Sequence, residues 1–145
     1  MAKMRTAGIE AKLDEKFKIT IKAGDHTMYV DQTKAGGGTD AGPTPLEYFL
    51  ASLAGCIGTV ARIIANQKRI PLNGIDIKIE GAYDVETLLG KSKENRAGFS
   101  GIKVTLNIDA NMSKEEKEAF VHEIEGRCPV SDNITNTTPI VIEVA

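Results

Sequence analysis

The chain has 145 residues, a formal net charge of −2, and ordinary apolar (41%) and charged (26%) fractions, which fits one domain, residues 1–145, able to bury a proper core. The small net charge argues against a nucleic-acid or anionic-membrane partner, and the absence of Trp argues against a base-stacking surface. The first dozen residues, MAKMRTAGIEAK, hold no apolar stretch of the secretory type, which predicts a cytoplasmic protein. Two cysteines in such a reducing setting are not a permanent staple. With His26 and His122 they make no zinc spacing, so no metal or cofactor is expected.

Ile9, Ala11 and Leu13 alternate with charged residues, as do Phe17, Ile19 and Ile21. Met28 and Val30 continue the period after the Gly24-Asp25 turn. Period two with one apolar face predicts three short strands in an antiparallel meander. Residues 31–44, DQTKAGGGTDAGPT, then predict a loop. Gly36 to Gly38 lack the Lys-Ser/Thr of a phosphate loop and the spacing of a dinucleotide loop, so they read as flexible punctuation, placed to form a lid.

The stretch PTPLEYFLASLAGCIGTVARIIANQKR, residues 43–69, is the one long apolar segment. Thr44 suits an N-cap, Pro45 the first turn, and Glu47 the positive helix end. Leu46, Phe49, Leu50, Leu53, Ile57, Val60, Ala61 and Ile64 recur at helical spacing. The other face is small, and Gly55 and Gly58 each give up about 1 kcal/mol against Ala. Close approach by another element would explain them. The uncharged run from Tyr48 to Ala61 is 14 residues, short for a bilayer, so a helix buried on both faces is expected, with a copy of itself in a homodimer as the second cover.

Pro71 is expected to end the helix and Asn73-Gly74 to turn the chain. Ile75, Ile77 and Ile79 predict a strand, and so do Ile102, Val104, Leu106 and Ile108, with a polar connection over 86–101. Ser113 to Glu116 is a capping box for a helix ending at Gly126. A short helix follows from Arg127-Cys128-Pro129, and Ile140 to Val144 is expected to close as a strand. The order βββ-α-ββ-αα-β is α+β with mainly antiparallel sheet.

Two residues carry candidate chemistry. Pro129 at a first helical position makes Cys128 an N-cap, where unpaired N–H groups and the helix dipole favour a thiolate. Arg127 would add to this if it points the same way. A cysteine packed there as a small hydrophobe is the competing reading. Cys56 lies at the edge of the apolar stripe, where a cysteine is ordinarily core and burial raises its pKa. His26 and His122 read as solvated surface.

The segment GPTPLEYFLASLAGC, the Arg62 six residues beyond Cys56, and the later CPVS resemble the OsmC/Ohr family of thiol peroxidases. The resemblance implies antiparallel sheets wrapped around a long central helix in an intertwined homodimer. It implies that Cys56 attacks a hydroperoxide and Cys128 resolves the sulfenic acid as a disulfide, which a dithiol reductant (lipoyl or thioredoxin-like) then reduces. An apolar lining from Phe49, Leu53 and Ile57 would favour organic, including fatty-acid, hydroperoxides. No nucleic-acid or membrane partner is implied. The chain also departs from the family, whose enzymes activate the thiolate with an Arg from the N-terminal strands and a Glu ten residues before the helix cysteine. Leu46 stands at that position, and a regular helix turns Glu47 away from Cys56. Lys34 is a candidate substitute cation, and Arg62 a structural ion-pair partner. A non-catalytic dimer, sensing redox state or binding a small molecule, is the alternative.

Overall fold

The computed structural model describes residues 1–145. Two units divide the chain, 1–51 and 52–145, and each has its own sheet. In the first, strands β1 (Glu10–Leu13), β2 (Ile19–Ala23) and β3 (His26–Val30) pair antiparallel in sequence order. The expected turn at Gly24 is made with φ +57°, a conformation that glycine reaches without a Cβ penalty. Beyond β3 the loop is more tightly built than its composition suggests. Asp31 is 1% exposed. Its carboxylate accepts the backbone N–H groups of Gln32, Thr39 and Ala41 at 2.8–3.1 Å and the Thr39 hydroxyl at 2.6 Å. A Cβ on Gly38 or Gly42 would stand 2.1 or 2.0 Å from the carbonyl oxygens of Gln32 and Tyr29. The flexible lid expected here is therefore an ordered turn, with a short 3₁₀ segment at Lys34–Gly36.

Helix α1 runs from Pro45 to Lys68. Its start follows the sequence. Thr44 and Glu47 form a reciprocal cap, with the Thr44 N–H donating to Glu47 Oε2 at 2.7 Å and the Glu47 N–H to Thr44 Oγ1 at 3.3 Å. Its end comes before Pro71: Arg69 takes a left-handed φ of 57°, and the Ile70 N–H bonds the Ala65 carbonyl at 2.8 Å, closing the last turn.

In the second unit, β4 (Leu72–Ala82) and β5 (Gly101–Ala110) form an antiparallel pair, with Ile75 opposite Ile108 and Ile77 opposite Leu106. Asn73-Gly74, expected as a turn, instead lies inside β4 at a register irregularity. The connection after β4 contains one helical turn, α2 (Val85–Leu88), capped by Asp84. Helix α3 (Lys114–Arg127) begins with the expected capping box and runs one residue past Gly126. Helix α4 (Pro129–Thr135) follows directly.

The core of this unit joins Leu53, Ile57, Val60, Ala61, Ile64 and Ala65 of α1 to Leu72, Ile108, Phe120, Ile124 and Cys128. Fully burying a side chain such as Ile64 stabilises the fold by about 1.5–3 kcal/mol. The 24-residue α1 is long and apolar enough to cross a bilayer by length and composition, with a mean hydropathy of 1.6 over 18 residues. The shorter uncharged run had not suggested this. Its buried stripe is nevertheless that of a core helix.

Within the single chain the helix is buried on one face: Ser52, Gly55, Thr59 and Ile63 are exposed, and an added Cβ on Gly55 would meet nothing within 4 Å. One expectation is corrected. The closing strand is absent from the single chain. Ile140, Val141, Ile142 and Val144 are 83–97% exposed, because a strand-forming pattern supplies no partner ladder by itself.

Candidate functional site

Cys128 sits between two helices, as the last cap of α3 and the first of α4. Pro129 supplies a preset φ at the first helical position and lacks an N–H of its own. The Cys128 sulfur accepts the Ser131 N–H at 3.4 Å, as an N-cap side chain does. It is 2% exposed. Cys56, on the middle of α1, is only partly buried.

The fold brings the two thiols together. Cys56 lies close enough to the Cys128 thiol and the Val130 N–H for both to act on its titration. Burial pushes the Cys56 thiol above its ordinary value and the Cys128 thiol adds to the rise, while the Val130 N–H pulls the other way. Both cysteines are unbridged. Paired thiols with one sulfur more accessible than the other can form a disulfide reversibly once the outer one is oxidised.

The two sulfurs line different spaces. Cys56 opens on a cleft with Gly55, Thr59, Ile63, Arg127, Pro129 and Val130. Cys128 lines an apolar cavity of about 270 Å³ with Leu53, Ile57, Leu106, Val121 and Ile124. Leu53 and Ile57, expected beside the attacking thiol, thus line the Cys128 cavity instead. Phe49 is 41% exposed and belongs to the other unit.

The remaining candidates are engaged elsewhere. Arg62 Nη1 donates to the Leu72 carbonyl at 2.8 Å, joining α1 to β4 through a backbone oxygen and not through the ion pair expected of it. Glu47 is spent on the Thr44 cap, whose N–H and hydroxyl hold its carboxyl below the usual value. Lys34 is exposed on the 3₁₀ turn, and His26 and His122 are exposed, as expected. Arg127 Nη1 donates to Gln67 Oε1 at 3.0 Å and Glu123 Oε1 at 3.3 Å, so its guanidinium is engaged by these two side chains. No group of three or more His, Cys, Asp and Glu side chains is placed to hold a metal.

Sequence reasoning missed Asp31, the anchor of the glycine-rich loop. Its signal was an Asp directly after a strand and ahead of a loop, the setting in which Asx side chains capture nearby N–H groups.

A family model described as OsmC-like protein matches residues 36–143. No curated protein matches the chain by sequence. Among solved structures, an OsmC-like protein from Mycoplasma pneumoniae superposes with a TM-score of 0.79 at 22% identity, covering 92% of this chain and 89% of that one. An organic hydroperoxide resistance protein OsmC from Legionella pneumophila gives 0.67 at 22% identity, with coverage of 92% and 91%. The organic hydroperoxide resistance protein OhrB of Bacillus subtilis gives 0.61 at 21%, with coverage of 92% and 93%. At these identities the likeness is one of fold.

Proposed function

Because this chain belongs to the family of OsmC-like proteins, we propose that it is a thiol-dependent peroxidase for organic hydroperoxides, with Cys56 as the attacking and Cys128 as the resolving cysteine. The observation that carries the reading is the closeness of the two thiols within one packed cluster. The greater exposure of Cys56 supports its role as the sulfur that peroxide meets first.

The Cys56 thiolate attacks the outer peroxide oxygen. The O–O bond breaks, the departing alkoxide takes a proton and leaves as an alcohol, and Cys56 becomes a sulfenic acid. The Cys128 sulfur, having given up its proton, attacks the Cys56 sulfur. The S–O bond breaks, hydroxide leaves as water, and a disulfide remains. An external dithiol returns two electrons and two protons, ending as its own disulfide. The cleft on which Cys56 opens offers Val60, Ile63, Pro129 and Val130 to the alkyl part of a substrate.

The working unit of the proposal is a cytoplasmic homodimer of single domains spanning residues 1–145. The uncovered small-residue face of α1 and the exposed apolar segment 140–144 support a second copy as their cover. Turnover of cumene hydroperoxide with a dithiol reductant tests the function. Wild type consumes peroxide over many cycles, whereas Cys56→Ser and Cys128→Ser do not sustain it; equal turnover in Cys56→Ser would refute the assignment.

The raised Cys56 thiol favours a second reading, a dimer that registers peroxide as a slow redox sensor. Such a protein forms the disulfide once and turns over poorly with any dithiol.

A further inference from the structure

The peroxidase reading leaves the Cys56 thiolate without a stabilising cation. Burial disfavours it, Arg62 is held by the Leu72 carbonyl, and Glu47 is a cap. Among the residues lining the Cys56 cleft, Arg127 is the one positively charged side chain. The titratable group acting on the Cys56 thiol is Cys128, and Arg127 lines the same cleft without acting on the thiol from its resting position. The sheet strands contribute none to the cleft.

Arg127 is placed for movement. It occupies the last turn of α3 and is 39% exposed. Its guanidinium rests on two acceptors, neither of which depends on it alone. Gln67 is uncharged, and Glu123 is also ion-paired with Lys68. Releasing Arg127 therefore strands no carboxylate, and an exposed ion pair holds it only weakly. From these observations we propose that Arg127 leaves Gln67 and Glu123 to pair with the Cys56 thiolate, and is the cation that activates this cysteine. The guanidinium stays protonated throughout, and the thiol proton passes to solvent. Lys68 keeps Glu123 paired while Arg127 is away, so the Lys68–Glu123–Arg127 chain is a rest position for the activating group. The inference rests on the proposed role of Cys56.

The test follows alkylation of Cys56 by iodoacetamide against pH, read by peptide mass in the full chain. Arg127→Met slows labelling at pH 7 about tenfold and moves its midpoint up by about one unit, the two being equivalent. Arg127→Lys recovers part of the loss. Glu123→Gln, which frees Arg127, speeds labelling. An effect that came only from disturbed packing would not run in opposite directions in the two variants. An unchanged profile in Arg127→Met, or slower labelling in Glu123→Gln, overturns the proposal. If Arg127→Met does not fold, Arg127→Lys and Glu123→Gln carry the same opposition. Labelling needs no peroxide, so a chain that follows these profiles yet forms no disulfide with peroxide keeps the Arg127 assignment and sinks the peroxidase.

Discussion

In the sheet of β4 and β5, Ile75, Ile77, Ile79, Ile102 and Leu106 all pack against the core built on α1. In the sheet of β1 to β3 the alternation is just as regular, yet Leu13 remains 61% exposed, as does Ile9 just before β1, and Phe17 is 51% exposed. Of residues 1–51, Val30 and Asp31 are the ones fully buried. Period two says which residues share a face; it does not say what covers that face. The second unit owes its order to apolar packing. The first owes much of its order to hydrogen bonds around one carboxylate.

The largest test of this contrast is a pair of truncations. Ile64→Ala, at a position with no exposed surface, costs about 2–5 kcal/mol, read as a shift in the urea midpoint. Ile21→Ala, on the partly exposed β2, costs less than about 1.5 kcal/mol. Equal losses would erase the distinction.

The carboxylate is broken by Asp31→Asn. Asp31 is lowered from 3.8 to about 2, first by the Thr39 hydroxyl and then by the Ala41 N–H. A depressed folded pKa stabilises above the unfolded value and loses that contribution as pH falls through the folded one. Wild type therefore loses stability from about pH 4 down to about pH 2. Asp31→Asn lacks this part of the pH dependence and exchanges its Thr39 and Ala41 amides faster at neutral pH. Unchanged exchange would show that the loop is held by other means.

The smallest contrast concerns backbone strain. Each unit has one non-glycine residue in the left-handed region, Asp40 at φ 58° and Arg69 at φ 57°. Arg69→Gly gains about 1 kcal/mol, whereas Asp40→Gly gains less because Asp tolerates this conformation. Thermal melts rank the two, and a larger gain at Asp40 would contradict the argument.

These comparisons show where the sequence was legible. The Thr44–Glu47 start of α1, the Ser113–Glu116 box and the Cys128-Pro129 cap are local, fixed by residues within a turn of one another, and each forms as its pattern predicts. The Asp31 loop was misread because its closure joins residues up to ten positions apart. The segment 140–144 was read as a strand from propensity alone, and strand propensity names no partner. The closeness of Cys56 and Cys128 bridges 72 positions of sequence. Family resemblance suggested it, while spacing could not. Arg127 is held partly by Glu123, one turn before it on α3, and partly by Gln67 on α1, which no local pattern joins to it.

The central claim concerns that thiol pair, and one measurement addresses it directly. Reduced protein is treated with one equivalent of cumene hydroperoxide, and its free thiols are counted by intact and peptide mass. The account predicts loss of both thiols as a single intramolecular Cys56–Cys128 disulfide, reversed by a dithiol and absent in Cys56→Ser. Survival of both thiols at stoichiometric peroxide, or a disulfide formed only between chains, would contradict it.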